Sequence, residues 1–206
     1  MKIYTIGHSN YSLDKFINML RYFNIDCVVD IRGTPYSKYN IQYNKEMLRY
    51  SLVKAGFTYI YMAKEFAAKR ENKISYNSYG YSDFEKVINE DEFKNGIDRL
   101  KKGCLKGYTI VLLGAMQDPI RCHRSILVGR ELVKHGFEVK HILDDLSIKS
   151  QSYIEERLLD KYYSNGVQLS LGNTSDISYD EIINICYRKA NKEIGERVEN
   201  IVSKKV

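Results

Sequence analysis

Five short apolar runs, at residues 3–6, 27–31, 57–62, 109–113 and 138–143, alternate with stretches of helical spacing. Ser12 stands before Leu13, Phe16, Ile17 and Leu20, an i, i+3, i+4, i+7 stripe with a capping residue in front of it. Asn44 precedes Met47, Leu48, Leu52 and Ala55, and Gly56 closes that stripe. A third helix is expected from residue 91 to Lys102 with Gly103 as its stop, and a fourth ends near His135 and Gly136. The resulting β-α-β-α-β-α-β-α-β order predicts an α/β fold, a Rossmann-like parallel sheet of about five strands with helices on both faces. Beyond Asp145 the pattern turns helical, with one helix over 150–163 and another opened by a capping box at Ser178 and Glu181 that runs toward Val202. The expected organisation is an α/β domain over residues 1–145 and a C-terminal helical extension, 146–206, packing on it. A Ser-, Asn- and Gly-rich join is expected over 164–177, and a long aperiodic loop over 63–82.

Composition narrows the function classes. No apolar run reaches the roughly 18 residues of a membrane span, and Gly7-His8 follows the first strand too soon for a signal peptide, so a cytoplasmic protein without a membrane partner is expected. Cys27, Cys104, Cys122 and Cys186 form no CxxC pair, which argues against a disulfide framework or a zinc knuckle. No metal and no cofactor are expected. The chain carries a formal charge of +6. Residues 1–150 hold 24 basic and 17 acidic side chains and the remainder 8 and 9, so the excess belongs to the first part. That distribution permits an anionic ligand or nucleic acid, although AT-rich codons would also yield the many Lys, Asn and Tyr residues.

Ligands of open parallel sheets bind at the carboxyl ends of the strands. His8 and Ser9 follow the first strand, Arg32 the second, Glu65 the third, and Asp118, Cys122, His123 and Arg124 the fourth. Asp118-Pro119 makes a good N-cap and first-turn pair, which sets Cys122 in or beside a first helical turn, where the dipole and the arginines on either side favour thiolate. The competing reading is a small cysteine packing a helix on the sheet. His8 suits proton transfer or anion donation, or a loop-tying hydrogen bond. Asp30 and Arg32 alternate on one strand end and form either a scaffold ion pair or an anion site. Arg124 is a second candidate anion ligand, with pairing to Asp118 as the alternative. His135 and His141 read as surface or sheet residues.

Three blocks carry a family resemblance: Lys2-Ile3-Tyr4-Thr5-Ile6-Gly7-His8-Ser9-Asn10, Val29-Asp30-Ile31-Arg32-Gly33-Thr34-Pro35-Tyr36-Ser37, and Asp118-Pro119-Ile120-Arg121-Cys122-His123-Arg124-Ser125. In this order they resemble the signature blocks of the domain-of-unknown-function 488 family, over residues 1–143. The resemblance implies a compact α/β domain and a shared polar set of His8, Asp30, Arg32, Cys122, His123 and Arg124, and it implies no reaction. Gly114 and Met116 stand where relatives often carry Cys and Glu, and Glu65-Phe66-Ala67-Ala68 where Glu-Leu-Gly-Gly is common.

Three function classes follow. The first binds or processes a small anionic ligand, nucleotide-like or a phosphoester. In it Cys122 serves as thiolate, His8 or His123 as proton carrier, Arg32, Arg124 and Ser9 as anion ligands, and Asp30, Asp118 and Glu65 in support. An enzyme of this class would be a thiol-dependent transferase or hydrolase. The second is a non-catalytic nucleotide or anion sensor using the same crevice. The third is a nucleic-acid-binding accessory protein, though no helix-turn-helix, RRM or zinc-finger signature is present.

Overall fold

The computed structural model describes residues 1–164 and 178–198. Six strands form one sheet: β1 (Lys2–Gly7), β2 (Cys27–Asp30), β3 (Thr58–Tyr61), β4 (Ile110–Gly114), β5 (Glu138–Ile142) and β6 (Ile148–Ser150). Their order is β3-β2-β4-β1-β5-β6, parallel throughout except for the β5–β6 pair. The fold is therefore α/β, with one strand more than the expected five. β6 escaped notice because it is three residues long, pairs on one side only, and carries a single apolar residue, Ile148, that is itself exposed. A strand with nothing to bury leaves no period-two signal.

The helices in chain order are α1 (Leu13–Tyr22), α2 (Lys45–Lys54), α3 (Ala63–Phe66), α4 (Phe84–Val87), α5 (Asp91–Leu105), α6 (Arg130–Lys134), α7 (Gln151–Leu159) and α8 (Tyr179–Ile194). Phe16 and Leu20 of α1 and Leu48 and Leu52 of α2 cover one sheet face, packing on Ile6, Val28, Val111 and Leu113. On the other face α5 through α8 bury Phe93, Ile97, Leu132, Ile154, Leu158 and Tyr187 against Ile3, Val29, Leu112 and Val139. Alternate residues of β1 to β5 thus feed two cores, as strands covered on both faces require.

Several local expectations shift. Gly103 does not stop α5, which continues to Leu105; a Cβ there would lie 2.8 Å from Ile110 Cδ1, so the glycine permits close helix–strand packing. Asn44 does not cap α2 with its side chain, because its Oδ1 accepts the Ser37 N–H at 2.7 Å. Residues 63–82 hold α3 and a 3₁₀ turn, Lys73–Ser75, and the buried ion pair of Arg70 with Glu90 ties this segment down. The capping box at Ser178 and Glu181 forms, and α8 ends at Ile194. The join at 164–177 and the approach to Val202 fall outside the described residues, apart from Ser164 at the end of a π-helical turn and the chain as far as Val198. Among the described residues no helix is long and apolar enough to cross a membrane.

The topology fixes where a crevice opens. From β1 the chain leaves through α1 toward β2, and from β4 it leaves through α6 on the opposite face toward β5. Because neighbouring strands β1 and β4 send their connections in opposite directions, the space beyond their carboxyl ends stays open.

Candidate functional site

A crevice of about 640 Å³ occupies that position, with His8, Ser9, Arg32, Cys122 and His123 in its wall. Three strand ends supply them: β1 leads into His8, β2 into Arg32, and β4 into the loop that reaches Cys122. Tyr43, Lys69 and Arg121 also line it, together with Ile194 at the end of α8 and Glu196 just beyond it.

Arg32 is held from behind. Its Nε and Nη2 donate to the two oxygens of Asp30 at 2.8 and 2.6 Å, and its backbone N–H reaches Oδ1 at 3.1 Å. Tyr59 adds a fourth donor to Asp30, Oη to Oδ2 at 2.7 Å. This carboxylate is fully buried, so it aligns the guanidinium without itself reaching the crevice. A third guanidinium hydrogen, on Nη1, goes to His8 Nε2 at 3.1 Å, while His8 Nδ1 donates to the Ser9 carbonyl at 2.7 Å. With one nitrogen accepting and the other donating, His8 is neutral. Burial first, then the Arg32 charge, lowers its pKa to about 4. Of the five N–H hydrogens of Arg32, two remain for a ligand. The Tyr43 ring stacks on His8 at 4.1 Å, and its hydroxyl is buried without a protein partner. Ser9 adopts φ +48, an uncommon conformation for serine, which turns the chain sharply beside His8.

Asp118 caps a 3₁₀ turn, Pro119–Arg121, that ends at Cys122 in extended conformation. A π-helical turn, Arg124–Gly129, then leads into α6. Cys122 is thus at the junction of two short turns rather than inside one continuous helix. Its Sγ lies 3.9 Å from His123 Nδ1, and His123 Nε2 donates to the Ile31 carbonyl at 2.9 Å. Burial pushes the Cys122 pKa up, but Arg124 and the His123 hydrogen bond outweigh it and bring the value to about 5. For His123 burial pulls downward and the bond to Cys122 wins, raising its pKa. Both shifts run in the direction that favours the thiolate–imidazolium form of the pair.

Arg124 does not line the crevice. It is fully buried, donating Nη1 to the Met116 carbonyl and Nη2 to the Gln117 carbonyl at 2.9 Å, while its Nε has no partner. Among the described residues no carboxylate forms an ion pair with it, and its charge is the largest single influence favouring the Cys122 thiolate. Both side chains abut Gly114, where an added Cβ would sit 2.6 Å from Cys122 Sγ and 3.2 Å from Arg124 Cδ. The missing side chain at 114 is what leaves room for the thiol.

The remaining candidates lie apart. Asp118 pairs with Arg157 of α7, at 2.6 and 3.0 Å, instead of with Arg124. Glu65 pairs with Arg99 of α5 and is absent from the crevice wall. Sequence reasoning passed over Tyr43, in a single 3₁₀ turn (Ile41–Tyr43), and Lys69, in a loop, neither of which gives a periodic signal. His141 is a sheet residue, one of the two expected readings, and its side chain is fully buried in a polar chain. No group of three or more His, Cys, Asp or Glu side chains among the described residues is arranged to hold a metal ion.

Fold and site together define a doubly wound α/β protein with a cysteine–histidine pair and a carboxylate-held arginine at the carboxyl edge of its sheet. Residues 12–130, more than half of the chain, match the family model described as Domain of unknown function DUF488, and the chain belongs to that family. The matched span includes Asp30, Arg32, Cys122, His123 and Arg124 and begins after His8. No curated protein and no solved structure matches.

Proposed function

We propose that the crevice binds and processes a small anionic ligand, nucleotide-like or a phosphoester, with the Cys122 thiolate as its reactive group, as a thiol-dependent transferase or hydrolase would. The observation that carries this reading is the Cys122–His123 pair in the crevice wall, backed by a buried Arg124 that has no carboxylate partner among the described residues. An unpaired buried cation is expensive, and a neighbouring thiolate offsets it. Arg32, Lys69 and Arg121 draw the anionic group in. Cys122 Sγ attacks the electrophilic centre, the bond to the leaving group breaks, and the His123 imidazolium gives its proton to the departing atom. Water or a second substrate then takes the group from sulfur and restores the thiolate, the proton released returning to His123. His8, neutral with its single N–H given to the Ser9 carbonyl, accepts from Arg32 and orients it rather than shuttling a proton. Four free cysteines suit a reducing compartment, and we place the protein in the cytoplasm.

The test is iodoacetamide labelling as a function of pH. Alkylation of Cys122 is expected with a midpoint near 5, far below an ordinary thiol, and Cys122→Ser should abolish the fast phase. The burial-raised pKa values of Cys27, Cys104 and Cys186 keep those thiols slow. A midpoint above 8 would overturn the reading.

A further inference from the structure

A second chamber, also about 640 Å³, lies beside the first and shares Gly33 and Lys69 with it. Both shared residues are exposed, so they form a saddle between the chambers rather than a wall. Tyr61 at the end of β3, Ala63 and Lys64 of α3, and Glu92 of α5 bound the far side. The electrostatics of the two chambers differ. Among the described residues, the first is lined by Lys69 and Arg121, neither of them in an ion pair, and by Arg32, which Asp30 holds from behind but which keeps two N–H hydrogens, against one carboxylate, Glu196. In the second, Arg70 is paired with Glu90 and Lys64 with Glu92 at 3.5 Å, and Glu71 adds a carboxylate with no partner among the described residues. Only the shared Lys69 is a cation without an ion-pair partner there. One chamber therefore suits an anionic group, and the other repels a second one while offering paired ions and the Tyr61 phenol as hydrogen-bonding partners.

We infer that the ligand is a phosphomonoester with an uncharged polar arm, of the nucleoside monophosphate kind: the phosphate lies against Arg32 and Lys69, and the arm crosses the Gly33–Lys69 saddle into the second chamber. This rests on the reading of the first chamber given above and adds the substrate class. Each chamber alone is within the size of a small-ligand pocket. An arm tethered to an already bound phosphate enters the second at high effective concentration, so its contacts appear directly as affinity.

Adenosine monophosphate and inorganic phosphate are the probes, with binding measured by calorimetry and by protection of Cys122 from iodoacetamide. The wild-type protein should bind adenosine monophosphate at least tenfold more tightly than phosphate. Ala63→Trp and, independently, Glu71→Trp narrow the second chamber and should remove most of that advantage, leaving phosphate affinity and the alkylation rate unchanged. The second variant changes an exposed side chain that makes no hydrogen bond or ion pair among the described residues, which guards against a folding defect in the first. Equal affinity for the two probes, or an advantage that survives both substitutions, overturns the inference and leaves the thiol reading standing if Cys122 still titrates near 5. Failure of both probes to bind, together with an ordinary thiol, overturns both.

Discussion

The protein buries two histidines in polar networks, and the networks differ in what they leave unspent. His141 on β5 accepts from Thr5 Oγ1 at 2.8 Å and donates to Gln151 Oε1 at 2.9 Å. Gln151 Nε2 donates onward to the Ser125 carbonyl and to Tyr187 Oη, and Tyr187 donates to Glu155. Every group in this chain is satisfied, and it joins β1, β5, the π-helical turn, α7 and α8 beneath the surface. His8 and Arg32 at the crevice instead keep two guanidinium hydrogens without a protein partner, and the Tyr43 hydroxyl beside them is buried with none. A network that closes on itself stabilises; one that stays open at its crevice side has capacity left for a ligand.

The comparison breaks most sharply at Asp30. Removing this carboxylate leaves the Arg32 guanidinium, 6 % exposed, without its counter-ion, and loss of one partner of a buried pair costs about 3–5 kcal/mol. Asp30→Ala should therefore lower stability against urea by that order and abolish phosphate binding. A fall in stability with binding intact would show that Arg32 serves the scaffold only.

Acid titration reaches both networks at once. His8 and His141 are each lowered from 6.5 to about 4, chiefly by burial, so between those values the unfolded chain binds more protons than the folded one. Stability is full above pH 6.5 and is lost as pH falls through about 4, by roughly 3 kcal/mol for each histidine once the fall is complete. Cys122 acts in the same direction, since its folded pKa is also depressed, so the histidine contribution is read in a Cys122→Ser background. In that background, substituting Gln for His141 should halve the acid-induced loss measured by urea unfolding at a series of pH values. An unchanged acid limb would mean that His141 is protonated in the fold, contrary to its two hydrogen bonds. Smaller still is the effect of Gln151→Leu, which strands the His141 Nε2–H and the Ser125 carbonyl at a cost of about 1–3 kcal/mol. The alkylation profile of Cys122 should not move, and a shift would join the two networks into one.

Much of the fold was legible because its strands are buried on both faces and its helices show their stripes. The crevice edge was legible for the same reason: chain order alone puts His8, Arg32 and Cys122 at strand ends. Roles were harder to read. Arg124 looks like an anion ligand from its place beside Cys122, and only packing shows that it is spent on the Met116 and Gln117 carbonyls. Asp118 gives no sign in sequence that its partner is Arg157, 39 residues away. Burial decides such pairings, and local spacing carries no information about partners brought in by another element. His141 is the plainest case, since a histidine in a half-polar strand reads the same whether Gln151 or water faces it.

His123 offers the finest division between holding and acting. Its Nε2 bond to the Ile31 carbonyl contributes to the scaffold, and its Nδ1 faces the thiol. His123→Gln keeps a donor for the carbonyl but removes the imidazolium, so stability should change by about 1 kcal/mol or less. The thiol should respond more clearly. With Arg124 still buried beside it, the alkylation midpoint of Cys122 should rise from about 5 yet remain below 9, because one of its two cationic neighbours survives. Arg124→Met should raise it as well, since the Arg124 charge is the largest single influence that favours the thiolate. If His123→Gln instead leaves the midpoint in place, the thiolate depends on the buried arginine alone. His123 then belongs with His141 among the residues that hold the fold together, and the proton for the leaving group must come from elsewhere in the crevice.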